Sequence, residues 1–175
     1  MHGLLQTADY ARALYATLTG FSAEAIEQGV EAQLIRQRLL TEADPPCAWF
    51  IMDEAALHRV VGGPVTMRAQ LEQLFEVARL PNVTTQVIPY EAGAYSAMES
   101  SFTILEFTAL VESVVYVEGL ICSIYLDRHQ DIERYQLVFE ELRSMACDQE
   151  ESIVKLTKIC KDIGRPGRPY TARGG

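Results

Sequence analysis

The chain has 175 residues, of which 49% are apolar and 22% charged, as is usual for one globular domain. No apolar run approaches the roughly eighteen residues that a membrane-spanning helix needs, so we expect no membrane association. The first ten residues lack the basic start and apolar core of a signal peptide, so we expect a cytoplasmic protein.

The net charge of −9 is distributed unevenly along the chain. From Lys155 onward there are six Lys or Arg residues and one acid, so this end carries +5 and residues 1–154 carry −14. Such an acidic body repels a phosphate backbone. We therefore expect that this chain does not bind nucleic acid directly.

The four cysteines are scattered, with no C-x-x-C pair and no histidine at metal-ligand spacing. Dinucleotide, P-loop, zinc-protease and serine-hydrolase motifs are all missing from the sequence. We therefore expect inert thiols, no metal site and no cofactor.

Helical patterns fill the first forty or so residues. Thr7 is the expected N-cap of a first helix that Gly20 ends, and Ser22 is the expected N-cap of a second. The second helix has acids near its beginning and bases near its end, which suits the helix dipole.

After Pro45-Pro46, the apolar run that ends at Asp53 predicts an interior strand, Ala48–Asp53. Asp53 can cap a short helix, Glu54–Val60. Pro64 then begins a helix whose apolar stripe runs from Met67 to Ala78.

The stretch from Thr84 to Asp127 contains runs of β-branched and aromatic residues between turn residues. These runs predict four strands, at Val83–Tyr90, Phe102–Phe107, Ser113–Glu118 and Ile121–Leu126. Short connections predict an antiparallel meander, and the earlier strand should lie in the same sheet.

Two helices follow, and Asp148 with Glu151 forms a capping box for the second, Gln149–Ile163. We therefore predict an α+β fold, with a roughly five-stranded mixed, mainly antiparallel sheet covered by N-terminal and C-terminal helices. Residues 1–163 would form a single domain, and residues 164–175 a disordered basic tail.

Two places in the sequence suggest a binding site. The segment Tyr90–Glu99 is long for a hairpin connection and contains two tyrosines and a methionine, which give adaptable contact surface. Glu118 ends an apolar strand, where an acid is costly unless it is paired or at a cleft. If its strand neighbours the Ala48–Asp53 strand, Glu118, Glu54 and Arg59 would converge.

Converging carboxylates can perform acid–base chemistry, hold a cationic group or pair with Arg59, which is the most ordinary outcome. The leading hypothesis is a sensor or interaction domain that binds a small molecule or a small partner protein. Apolar contacts would come from Tyr90, Tyr95, Met98 and Phe102, and polar groups would be oriented by Glu54, Arg59, Tyr116 and Glu118. The alternatives are a cofactor-free enzyme that uses Glu54 or Glu118 as acid or base, with His58 as a further candidate, and a homodimerisation module.

Several sequence segments resemble those of a known family, among them Gly3–Ala13, Asp53–Arg59, Val61–Gly63, Met67–Leu71, Val87–Pro89 and Val115–Glu118. In this order they resemble the C-terminal domain, of uncharacterised function, of actinobacterial helix-turn-helix transcription regulators of the Xre type. The resemblance implies a domain that senses a ligand or partner, or dimerises, and passes that state to DNA contacts. Because Met1-His2 stands directly before the phrase that usually follows the helix-turn-helix domain, we expect a chain without the DNA-binding half, and a stand-alone enzyme stays an alternative.

Overall fold

The computed structural model describes residues 1–98, 100–107, 113–119 and 122–163, which fall into two compact units. The first unit contains Met1–Val87 and the described residues from Cys147 onward, and the second is Ile88–Ala146. The predicted tail, 164–175, lies outside the described residues. Helices and strands are both present, which confirms the α+β class.

The elements are, in chain order, α1 (Ala8–Tyr15), α2 (Ala23–Gln37), β1 (Ala48–Asp53), α3 (Glu54–His58), α4 (Gly63–Ala78), β2 (Val83–Ile88), β3 (Phe102–Leu105), β4 (Val114–Glu118), β5 (Ser123–Leu126), α5 (His129–Met145) and α6 (Gln149–Asp162). Short 3-10 helices occupy Gly3–Leu5, Arg38–Thr41 and Tyr90–Ala92. Within the described ranges, no helix combines the length and apolar character needed to cross a membrane.

The predicted helix starts are confirmed by their caps. Thr7 Oγ1 accepts a hydrogen bond from the Tyr10 amide, and the Ser22 and Asp53 side chains cap α2 and α3 in the same way. At α6, Asp148 Oδ1 accepts from the Glu151 amide at 2.8 Å while Glu151 Oε2 accepts from the Asp148 amide at 3.2 Å. Both bonds of the predicted capping box are therefore present.

The prediction of one five-stranded sheet is wrong, because the strands form two sheets, β1-β2 and β3-β4-β5. The Ala48 amide donates to Asn82 O at 2.8 Å, so the two strands of the first sheet begin side by side. β2 is buried at five of its six positions and ends at Ile88, not at Tyr90. Pro89 follows, which has no N–H to donate, and the chain enters a 3-10 helix instead of turning back into a meander.

The core of the first unit is built around α4. Met67, Leu71 and Leu74 on its inner face are fully or almost fully buried, as the predicted apolar stripe requires. They belong to one apolar cluster with β1, β2 and α6, to which Val87 and Leu156 contribute fully buried side chains. Burial of the α4 stripe therefore contributes to the hydrophobic stabilisation of this unit.

Buried glutamines fasten the N-terminal segment to this core. Gln70 on α4 is fully buried, where its Nε2 donates to Leu5 O at 2.6 Å and its Oε1 accepts from the Thr7 amide at 2.7 Å. On α2, Gln33 Nε2 donates to Gln6 Oε1 at 3.1 Å. The two bonds of Gln70 satisfy backbone groups that would otherwise be buried without partners.

The second unit contains an antiparallel three-stranded sheet and α5. Register pairs Phe102 with Val117 and Tyr116 with both Thr103 and Tyr125. The predicted meander is thus confirmed for the last three strands, although each is shorter than expected. Ile121, the predicted first residue of the last strand, lies outside the described residues.

Candidate functional site

The two faces of the three-stranded sheet have different environments. Phe102 packs edge-on against Tyr135 of α5, with ring centroids 4.9 Å apart, and Val115 on the same face is fully buried. Side chains alternate along each strand, so the residues between these point away from α5. We call this second surface the open face, and it consists of Thr103, Leu105, Val114, Tyr116, Glu118, Ser123 and Tyr125.

A pair of tyrosines forms the middle of the open face. Tyr116 and Tyr125 are directly opposite each other on β4 and β5, with ring centroids 5.1 Å apart and planes tilted by 48°. The Tyr116 hydroxyl shares a hydrogen bond of 2.9 Å with Ser123 Oγ of β5, which holds the Tyr116 ring against the neighbouring strand. Tyr125 remains 67% exposed, so one face of this aromatic pair is accessible to a ligand.

Glu118 adds a negative charge to the same surface. It follows Tyr116 by two residues and lies opposite Ser123, so its side chain and both tyrosines are on one face. No basic side chain forms an ion pair with Glu118 in the described part of the chain. Aromatic rings beside an exposed carboxylate are a chemistry suited to an ammonium or guanidinium group.

The structure divides the predicted site residues between the two units. Glu54 and Arg59 lie in the first unit, and the other six lie in the second. Tyr116 and Glu118 share the open face, whereas Phe102 lies on the opposite face of the same sheet against Tyr135. Only Tyr116 and Glu118 are therefore neighbours on one surface of the sheet.

The predicted loop residues are arranged around a 3-10 turn. Tyr90 begins this turn and is 52% exposed, Tyr95 is half-buried, and Met98 is 60% exposed. The segment is attached to α5, because Ser96 Oγ donates to Glu141 Oε2 at 2.8 Å. Exposed Tyr90 and Met98 offer contact surface, and their role in binding stays a prediction.

Glu54 has an ion-pair partner that the sequence did not suggest. Its carboxylate is only 12% exposed, with Lys155 Nζ 3.2 Å from one oxygen and His58 Nε2 3.4 Å from the other. Arg59, the predicted partner, is exposed and lies near Tyr10, where its charge opposes the burial that raises the pKa of the Tyr10 hydroxyl. The expected convergence with Glu118 assumed neighbouring strands, but β1 and β4 belong to different sheets.

The first unit also has an open groove of about 250 Å³ beside α2. The groove is lined by residues of α2, α4 and neighbouring segments, namely Leu4, Leu34, Gln37, Arg38, Leu40, Thr41, Gln73, Val77 and Leu80. None of the predicted site residues is among them. The groove is therefore a surface distinct from the predicted ligand site.

A family model described as a domain of unknown function (DUF5753) matches residues 1–158. The chain belongs to the DUF5753 family. No curated protein and no solved structure matches it. The matched range of the DUF5753 chain includes every residue of the open face. The resemblance to a domain of uncharacterised function is confirmed to that extent, and the link to Xre-type regulators stays a prediction.

The sequence analysis did not identify Ser123 and Tyr125, the two residues of the open face that contact the Tyr116 side chain. Both contact Tyr116 across the turn at Gly119, so their role depends on strand register. The sequence does contain a signal for this register. Tyr116 and Glu118 are two residues apart, as are Ser123 and Tyr125, so each pair lies on one face of its strand.

Proposed function

We propose that this DUF5753 chain is a ligand- or partner-sensing regulatory domain, related to the effector half of Xre-type transcription regulators. Its ligand would carry an organic cation and bind on the open face. The observation that supports this most is the Tyr116–Tyr125 ring pair with Glu118 on the same face. The proposed regulatory role is supported by the sequence segments that resemble those of Xre-type regulators.

Ring faces and the carboxylate would act on different parts of such a cation. Tyrosine rings attract a cation through their quadrupole, which contributes about 0.5–1 kcal/mol at an exposed site. Glu118 would supply the opposite charge, and an exposed ion pair contributes about as much again. These terms together, about 1–2 kcal/mol, correspond to a dissociation constant of roughly 30–200 mM for an isolated cationic group, so the remainder of the natural ligand must supply further contacts.

The charge of the whole chain favours the same class of ligand. Residues 1–154 carry −14, which attracts cations over distances of about a Debye length, and it repels anions such as free phosphates and carboxylates. A neutral ligand would gain nothing from this field. The proposal therefore predicts selection by charge as well as by aromatic stacking.

The alternative of an acid–base enzyme gains no support from Glu54. Its side chain is 12% exposed, with Lys155 Nζ 3.2 Å from one carboxylate oxygen and His58 Nε2 3.4 Å from the other, an arrangement that is more often a structural ion pair than a catalytic site. Glu118 lies on the open face, where binding of a cation explains its position beside two rings. Sensing is therefore the better supported function.

Thermal unfolding in the presence of two small probes tests this proposal. Choline carries a quaternary ammonium, and 3,3-dimethylbutan-1-ol is its neutral isostere. We expect choline at tens of millimolar to raise the melting temperature in a saturable way, because a ligand that binds only the folded state stabilises it. The isostere should have no such effect.

Two tyrosine variants locate the effect. Tyr125→Ala should abolish stabilisation by choline, whereas Tyr90→Ala, which removes another exposed tyrosine of the same unit, should retain it. Equal stabilisation by the two probes, or a response that survives Tyr125→Ala, would rule out cation binding on the open face. Loss of the response only in Tyr90→Ala would assign the ligand to the predicted loop.

A further inference from the structure

The outer surface of α2 exposes apolar side chains beside the groove. Ile35 on α2 is 54% exposed and Leu34 beside it is 38% exposed. Leu39, in the 3-10 turn that follows α2, is 44% exposed. The side chains of α2 that are buried are those of Val30 and Gln33. Three neighbouring aliphatic side chains on an exposed helix indicate a contact surface for another protein.

Two charged residues of opposite sign flank Ile35 on this surface. Glu31 precedes it by one turn and Arg38 follows it by one turn, so all three project from the same side of the helix. Both charged residues are exposed, and neither forms an ion pair within the described ranges. Glu27, by contrast, is held by Arg12.

We infer that α2 is a self-association surface, which binds α2 of a second copy of this chain in antiparallel orientation. A two-fold axis midway between Leu34 and Ile35 would place the exposed Ile35 side chain of each copy against Leu34 of the other. It would also bring Glu31 of each copy to Arg38 of the other, because residues equally far on either side of the axis meet. The acid–Ile–base order along one helix is thus complementary to itself.

The adjoining groove extends the apolar contact. Leu34 and Arg38 line it together with Leu40 and Val77, so it adjoins the end of the proposed contact at Arg38. Its volume of about 250 Å³ leaves room there for side chains of the second copy. The contact area of one helix pair is smaller than the roughly 800 Å² per partner of a standard interface. We therefore expect a dissociation constant of roughly micromolar order.

Sedimentation equilibrium of the full chain over a concentration series tests this inference, which does not depend on the open face. We expect a monomer–dimer equilibrium whose dissociation constant rises about thirtyfold or more in Ile35→Glu, because that variant places two carboxylates at the centre of the contact. Val65→Glu is the matched control, since Val65 is 85% exposed on α4 and lies outside this surface. It should associate as the wild type does.

Charge reversal tests the antiparallel geometry separately. Glu31→Arg and Arg38→Glu should each weaken the dimer about tenfold, since each turns two attractive contacts into repulsive ones. The double variant should recover wild-type association to within about twofold. A monomer at all concentrations, a dimer unaffected by Ile35→Glu, or a double variant weaker than either single one would overturn the inference. Each of those results would assign the apolar surface to another partner or another geometry.

Discussion

Lys155 on α6 forms an ion pair with Glu54 at the beginning of α3, with Nζ and Oε2 3.2 Å apart although 101 residues separate them in the chain. Glu54 is 12% exposed and Lys155 28%, so water screens this pair less than it screens the ion pairs on the surface. The contact joins the last helix of the first unit to the segment that follows β1. Its removal should therefore affect the stability of the fold.

Lys155→Met should lower the free energy of unfolding by about 1–2 kcal/mol, because it leaves a largely buried carboxylate without its closest cation. Arg79→Met is the matched control, as Arg79 and Glu76 form a pair in which both side chains are mostly exposed. That change should cost less than about 0.5 kcal/mol. Urea denaturation measures both, and equal losses would show that the Lys155 pair is no stronger than a surface pair.

Gln70→Ala should destabilise the chain by about 3 kcal/mol. The fully buried amide bonds to Leu5 O and to the Thr7 amide, and its removal leaves both backbone groups buried without partners. Gln130→Ala, at an exposed position, should change stability by less than about 0.5 kcal/mol. If the two variants unfold at the same denaturant concentration, Gln70 does not anchor the N-terminal segment.

The four thiols should react at two different rates with iodoacetamide. Burial raises the pKa of the Cys147 and Cys160 thiols, so at pH 8 less of each is in the reactive thiolate form. Cys47 and Cys122 are exposed and should be alkylated first. Raising the pH through the elevated pKa values of Cys147 and Cys160 should reduce the difference in alkylation rate between the two pairs of thiols. Mass spectrometry of timed digests measures this, and early modification of Cys147 would contradict it.

Adjacent positions of the three-stranded sheet should differ in their effect on stability. Val115→Ala should cost about 1–2 kcal/mol because Val115 is fully buried on the face that α5 covers. Tyr125→Ala, at a 67% exposed position, should cost less than about 1 kcal/mol. A larger loss for Tyr125→Ala in thermal unfolding would mean that the open face is packed against protein.

Local features of the fold could be predicted because they depend on neighbouring residues. Thr7, Ser22 and Asp148 cap their helices with bonds to amides three residues away, which the sequence pattern specifies directly. The division of the strands into two sheets depends instead on which strand β2 pairs with. That choice is made by contacts such as the one between Ala48 and Asn82, which no local pattern encodes.

The same distinction applies to the candidate site. Tyr116 and Glu118 were identifiable because an acid at the end of an apolar strand is unusual. Tyr125 was missed because its contact with Tyr116 depends on the register of β4 and β5. Lys155 was missed because it is 101 positions from Glu54 in the sequence.

The most direct test of cation binding on the open face is an NMR titration of the chain with ¹³C-labelled tyrosine rings, using arginine amide and a neutral isostere. We predict that the Tyr116 and Tyr125 ring signals shift together with arginine amide at tens of millimolar, and that Glu118→Gln weakens this binding about threefold. Glu106→Gln, which alters an exposed carboxylate outside the open face, should leave it unchanged. Ring signals that stay fixed, or that shift equally with the isostere, would contradict a cation site on this sheet.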